Sequence, residues 1–319
     1  MGSDTSTRPS GGSAEAGTSR ARTPERRRRK PMTRDRVENV VLGVLRWVAI
    51  ALFLIATLFP FYYMVLLSVR SIQELLLHPG DIFVSLWEIT IASYREVLWP
   101  VENGGQGFLV FMRNSGIVAV LSVTLTLLIS IPGAYAVARL RFFGRQKVHF
   151  LFLAVYLFPS IVLAIPLFVL FTRIGLSGAL IGLVLVYISQ TVPVSIYMLR
   201  NYFETIPPSL EEAALVDGCN RLRMIWRVIL PLSVPSLMAT GLYVFMIAWN
   251  EYLFALLFLV GERDRWTVSL GLSQLAGSIE IPTTVLMAGS VILTLPIVVL
   301  FFLGERLLSE GLTAGAEKG

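Results

Sequence analysis

Cysteine occurs once in this 319-residue chain, at Cys219, so no intramolecular disulfide can form. Histidine occurs only twice, as His78 and His149. The two fall in different loops, and no metal-ligand cluster is visible; each reads as a solvated or interfacial residue. Missing too are a GxxxxGK run followed by Ser or Thr, a nucleophile elbow and a zinc-ligand helix. The chain is therefore expected to have no ATPase site of its own, no catalytic residues, no metal and no cofactor.

Charge is scarce as well. Charged residues make up 15% of the chain, hydrophobic residues 55%, and the mean hydropathy is +0.71. A soluble domain carries about 25% charged residues, so composition points to an all-α membrane protein. Six runs approach the roughly 20 apolar residues that one crossing requires. They are Trp47–Val69, Asn114–Ala138, Phe150–Thr172, Ile174–Leu199, part of Leu232–Leu259 and Ile281–Gly304. Only the fifth is interrupted by a charge, Glu251.

The remaining charge is unevenly placed. Of the 27 Lys and Arg, 21 lie in the segment up to and including Arg46, in the Arg139–Lys147 turn, in the Arg200–Arg227 loop or after the sixth run. The positive-inside rule puts those segments, and hence both termini, in the cytoplasm. Residues 1–36 are rich in Gly, Ser, Thr and Arg and include Arg26-Arg27-Arg28-Arg29-Lys30. Nothing there forms a core, so the segment reads as a disordered basic tail ahead of a membrane domain over 37–319. A basic run with no aromatic partner fits an anchor on anionic lipid better than a nucleic-acid site. The first apolar run is too long for the h-region of a signal peptide.

Several features bear on mechanism. Pro60, Pro132, Pro159, Pro166, Pro193, Pro235 and Pro296 fall in or near the spans, as is common in membrane helices. Polar residues at depth are more specific, because each is costly unless paired or wet. Ser189, Gln190 and Thr191 sit midway along the fourth run, and Asn250, Glu251 and Tyr252 in the fifth. One reading places Gln190, Asn250, Glu251 and Tyr252 on a hydrophilic translocation path. The other assigns them to bonding between helices, and for Glu251 this second reading weighs more. The segments Arg70–Arg113 and Gly261–Glu280 fall outside, the first with room for a short interfacial helix near Ala92–Leu98.

The stretch Pro207–Pro231 is a polar loop between apolar runs. Ser209 and Glu212 have capping-box spacing. A helix over Leu210–Asp217 would close at Gly218 in the left-handed conformation. A second helix would place Leu222, Ile225, Trp226 and Ile229 on one face and stop at Pro231. A short helix with no core of its own is expected to dock into a partner.

Glu212-Ala213-Ala214, then Asp217-Gly218, then Ile229-Leu230-Pro231, resembles the EAA loop of binding-protein-dependent ABC importer permeases. Asn114-Ser115, Ala134-Tyr135-Ala136-Val137-Ala138-Arg139, Phe158-Pro159, Trp249-Asn250-Glu251-Tyr252 and the tail Gly311–Ala316 resemble the carbohydrate-uptake branch, the maltose and trehalose type. The likeness runs from about Val40 to the C-terminus. Cys219, where the family has alanine, and Glu317, where it has an apolar residue, depart from it. The resemblance implies a six-transmembrane-helix permease bundle in the bacterial cytoplasmic membrane. It also implies that the loop within 200–231, with Glu211, Glu212, Ala213, Ala214, Asp217, Gly218 and Pro231, couples the spans to an ATPase. ATP would be bound by two partner subunits. A second homologous permease and a periplasmic or lipid-anchored solute-binding protein would complete the assembly, which would import a sugar or related solute. An ion-gradient-driven secondary carrier is the alternative, with Glu251 as its one ionisable candidate; a membrane-embedded enzyme lacks the His or paired carboxylates it would need.

Overall fold

The computed structural model describes residues 34–145 and 159–316, together with residues 147 and 157. The run Arg26–Lys30, His149, Phe158 and Glu317 lie outside the described residues. Contacts divide the chain into two compact units at Thr57. The first unit contributes the opening part of helix α1 (Arg34–Ser68), whose side chains over 38–57 are exposed, Gly43 excepted. Helix therefore begins at Arg34, inside the segment read as disordered.

Helix is the only regular secondary structure among the second unit's described residues. It comprises the end of α1, α2 (Ile72–Leu77), α3 (Ala92–Leu98), α4 (Phe108–Arg139), α5 (Ser160–Arg173), α6 (Leu180–Thr205), α7 (Pro208–Val216), α8 (Arg221–Leu232), α9 (Val234–Asn250), α10 (Leu253–Leu259), α11 (Val268–Ala276) and α12 (Thr283–Ala316). Among the described residues α1, α4, α6 and α12 are long and apolar enough to cross a membrane. The pair α8 and α9 forms a fifth crossing only as a span bent by 84°. Helix α5, with 14 residues, extends about 21 Å, and the rest of its apolar run lies largely outside the described residues.

The fourth and fifth runs differ from their sequence reading. Helix α6 begins at Leu180 rather than Ile174, because Gly175 and Gly178 take φ values of 74° and 78°. Their turn is tied to α10 by a bond from Gly178 N–H to the Phe258 carbonyl at 2.9 Å. The fifth run breaks twice, at Ser233 and at Glu251-Tyr252. Pro159 and Pro235 start helices instead of interrupting them, whereas Pro60, Pro132, Pro166, Pro193 and Pro296 are interior. Helix α3 forms where a short helix was expected, but it buries Ser93 and Val97 and packs on α12.

The pair α4 and α6 is the frame of this unit. Small residues along α4 (Ser115, Ala119, Ser122, Thr126, Ser130, Ala134) are all buried and let the backbones approach. At mid-seam the Thr126 and Thr191 hydroxyls lie 3.0 Å apart, and Thr191 donates back to the Tyr187 carbonyl at 2.7 Å. The apolar core divides around this seam. One cluster, with Phe108, Leu183, Phe254 and Leu259, joins the beginnings of α4 and α6 to α10, α11 and α12. The other, with Ala134, Leu199, Phe203 and Ile229, gathers the ends of α4 and α6 around α7 and α8.

Close approach at the start of α6 is testable. A Cβ at Gly182 would lie 2.9 Å from the Leu176 carbonyl oxygen, whereas one at Gly116 meets nothing within 4 Å. Gly182→Ala is expected to destabilise by about 1–3 kcal/mol. Gly116→Ala is expected to be neutral or to add up to about 1 kcal/mol, since Ala replaces Gly within a helix. Melting temperatures of the two variants in mild detergent check the contrast.

Candidate functional site

The loop after α6 is built by turn chemistry. Pro207 caps α7 and Pro208 occupies its first position, where a missing N–H costs nothing. The two prolines start the helix earlier than the capping box would. Ser209 therefore lies inside α7, and no side chain caps its N-terminus. At the other end Gly218 has φ 79°, as its place in the sequence requires. Cys219 N–H bonds the Ala214 carbonyl and Gly218 N–H the Leu215 carbonyl, both at 3.0 Å, the paired bonds of a Schellman motif. Asn220 then caps α8 by accepting from Arg223 N–H at 2.9 Å.

Helix α8 does not keep an α-helical period. Residues Ile225–Ile229 form a π turn in which Leu230 N–H bonds the Ile225 carbonyl. Pro231 lacks an N–H and crowds the preceding turn, and the wider π geometry accommodates it. The helix consequently continues through Pro231 to Leu232 instead of stopping. The apolar face is also moved. Met224, Ile225, Ile229 and Leu230 are buried, a five-residue repeat, while Leu222 and Trp226 are 66% and 63% exposed. The face expected from a 3.6-residue repeat is thus half wrong.

One guanidinium holds the loop in place. Arg139, the last residue of α4, donates from Nε to Glu211 Oε1 at 2.5 Å. Its Nη2 donates to the carbonyls of Phe203 at 2.8 Å and Ile206 at 2.6 Å, the final turn of α6. Tyr135 OH, one turn earlier on α4, donates to Glu211 Oε2 at 3.2 Å. Three chain ends therefore meet on Arg139. The cation faces the negative end of the α6 dipole, and the Glu211 carboxylate stands in the first turn of α7, where an anion is favoured. Glu211 is buried, yet its neighbours Glu212 and Ala213 are exposed; Ala214 is buried and Asp217 and Gly218 are exposed. Pro231 is exposed at the far end of α8.

The polar residues of the spans divide differently. The Glu251 carboxylate accepts from Tyr187 OH at 2.7 Å, Phe254 N–H at 2.8 Å and Ala255 N–H at 3.2 Å. It caps α10 and ties that helix to α6. Its neighbours Asn250 and Tyr252 line a cleft of about 410 Å³ between α9, α11 and α12, with Ser269, Ser273 and Ser290. Gln190, half-buried on α6, is not among the lining residues.

Sequence reasoning missed Arg139 and Tyr135, whose run had been read only as a family motif and a topology charge. A cation closing one span ahead of a loop with adjacent carboxylates was the available signal. The serines of the cleft gave none, because they lie on α11 and α12, remote in sequence.

Residues 128–312 match the family described as the binding-protein-dependent transport system inner membrane component. The chain belongs to that family. The match takes in the clamp, the loop and the cleft together. Among similar proteins, the inner membrane ABC transporter permease protein YcjP of Escherichia coli K12 is 39% identical over 271 residues, 85% of this chain and 94% of that one. The trehalose/maltose transport system permease protein MalG of Thermococcus litoralis is 37% identical over 283 residues, 88% of this chain and 99% of that one. The trehalose transport system permease protein SugB of Mycobacterium tuberculosis is 35% identical over 233 residues, 72% and 83% of the two chains. A crystal structure of a bacterial ABC transporter involved in the import of the acidic polysaccharide alginate superposes with TM-score 0.72 at 24% identity, covering 84% of this chain and 97% of that one, and shows the same fold. The permease is thus a multi-pass inner-membrane protein. It is the membrane component of an ABC importer rather than an ATPase subunit, and the family implies ATPase and solute-binding partners. None of these likenesses supports an ion-gradient-driven carrier.

The clamp makes a local prediction. Hydrogen bonds to charged groups are worth about 1.5–3 kcal/mol each. Losing the pair should raise local opening of the loop by about tenfold or more. Glu211→Gln and Arg139→Lys are both expected to speed tryptic cleavage at Arg221 and Arg223 by that factor, since lysine cannot make the forked contact. Glu212→Gln should leave cleavage unchanged.

Proposed function

We propose that this permease is one half of the pore of an ATP-driven sugar importer, and that its 207–231 loop is the element on which the ATPase subunits act. The division within α7 carries the reading. Glu211 is turned inward and clamped, while Glu212, Leu215 and Val216 are turned out, joined by Leu222 and Trp226 of α8. An apolar surface ringed by charge, on a short helix between spans, fits a cleft in a soluble partner. A pull on α7 would pass through Glu211 to Arg139 and so reach the ends of α4 and α6 at once.

On this reading the loop and both termini are cytoplasmic, in keeping with the placement of Lys and Arg. ATP is bound by two ATPase subunits, a second, homologous permease completes the pore, and a periplasmic or lipid-anchored binding protein delivers the solute. Relatives named for trehalose and maltose transport support a sugar or related solute. The cleft beside Asn250 and Tyr252 supports it too, being lined by neutral hydrogen-bonding and apolar groups. Gln190, Asn250 and Tyr252 would face the solute's passage, and Glu251 would hold the helix break that shapes it. The tail over 1–36 serves as a lipid anchor, with no nucleic acid involved.

Gly218 tests the coupling. No described atom outside its immediate chain neighbours lies within 4 Å of where its Cβ would stand, and aspartate tolerates positive φ better than most residues. Gly218→Asp should therefore leave the loop folded but place a new charge on its docking surface. Solute-stimulated ATP hydrolysis and uptake by the purified transporter are expected to fall about tenfold or more at normal membrane levels. Undiminished stimulation would remove the loop from the coupling role. Deletion of residues 2–30 is expected to leave uptake nearly intact at equal membrane levels, as measured with the same solute.

A further inference from the structure

The segment joining α2 to α3 is pinned against the end of α1 at three places. Tyr62 OH donates to the Ile82 carbonyl at 2.5 Å. Arg70 Nη1 donates to the Asp81 carbonyl at 3.1 Å, and its Nη2 lies 3.7 Å from the Asp81 carboxylate. Thr90 N–H donates to the Val69 carbonyl at 2.8 Å. Arg70 is thereby 1% exposed, although it directly follows a span.

Tyr62 fixes the depth of this segment. It lies eight residues before Arg70, inside the charge-free run of α1. At 1.5 Å per residue the two differ by about 12 Å along the helix. The chain at Ile82 therefore returns alongside the apolar run instead of standing off it in water. The side chains it turns outward match that position: Phe83 is 76% exposed, Leu86 82% and Trp87 94%, with Leu76, Leu77 and Ile91 exposed beside them.

We propose that residues 76–91 form an interfacial element seated in the leaflet around the C-terminal end of α1, with Phe83, Leu86 and Trp87 among the lipid acyl chains. The irregular backbone of 78–91 leaves N–H and C=O groups that need water, so it belongs at the head-group boundary rather than in the hydrocarbon. Tryptophan and tyrosine favour that same boundary. Glu88 accepts from Ser85 N–H at 3.4 Å and remains exposed, as a charge facing the head groups would. The α1 turns beside Tyr62 likewise expose Leu58, Phe59, Phe61 and Val65, within a helix long and apolar enough to cross a membrane. A soluble binding protein would have to reach below the membrane surface to cover the patch, and a neighbouring permease is distinguished by the labels below.

The single cysteine makes the test direct. In a Cys219→Ser background, nitroxide labels at Phe83→Cys, Leu86→Cys or Trp87→Cys are placed in the transporter reconstituted with its co-purifying subunits. Oxygen is expected to relax these labels more strongly than a water-soluble nickel chelate. The order should reverse at Glu102→Cys, an exposed position in the connection from α3 to α4. Dominance of the chelate at 86 and 87 would overturn the proposal in favour of a water-exposed loop. Labels immobile and shielded from both agents would overturn it in favour of a protein partner. As a second measurement without cysteine, lipids brominated on the acyl chains should quench wild-type tryptophan fluorescence more than that of Trp87→Phe; equal quenching counts against insertion.

Discussion

Arg139 is the point on which the described unit turns. A guanidinium has five N–H donors in a rigid fork, and here the fork ties two chain segments to its own. Its Nε meets Glu211 and its Nη2 meets two carbonyls at the end of α6. Placing a cation and a carboxylate in a largely apolar cluster costs solvation, and the arrangement is tolerated only because each has several partners. Removing either partner from a buried pair costs about 3–5 kcal/mol, and the figure is smaller here because both side chains keep some contact with water. The interaction is therefore better understood as a device for geometry than as a source of stability. It makes the ends of α4 and α6 and the start of α7 one mechanical joint.

The two apolar clusters acquire a purpose from that joint. The one at the α7 end is small and organised around the loop. The other is larger and encloses the broken stretch from α9 through α11, where Glu251 caps α10 and Ser269 Oγ donates to the Glu251 carbonyl at 2.6 Å. Between them the α4–α6 seam holds small side chains that fix separation without interlocking. The seam thus links the cluster around the loop to the cluster around the cleft.

Much of this was legible in the sequence, and the exceptions share a cause. Glycine at 218 announced its left-handed turn because the requirement is local. The apolar runs announced membrane helices because composition alone decides that. Interactions between distant segments left weaker traces. Arg139 already had a sufficient explanation as a topology charge, so nothing drew attention to its pairing with Glu211. Gly175 and Gly178 form the turn that shortens α6, which the uncharged run Ile174–Leu199 did not reveal. The face of α8 was misread because a 3.6-residue repeat was assumed where Pro231 enforces a π turn.

That π turn also acts as a phase setting. It adds one residue to the repeat, and one residue corresponds to about 100° of rotation. The same residues wound as an ordinary α-helix would turn Leu222 and Trp226 toward the packed face and carry Met224 outward. The composition of the loop would be identical, but the surface turned outward would be a different one. Which side chains the loop turns outward is thus governed by the winding of a single turn as much as by their identity.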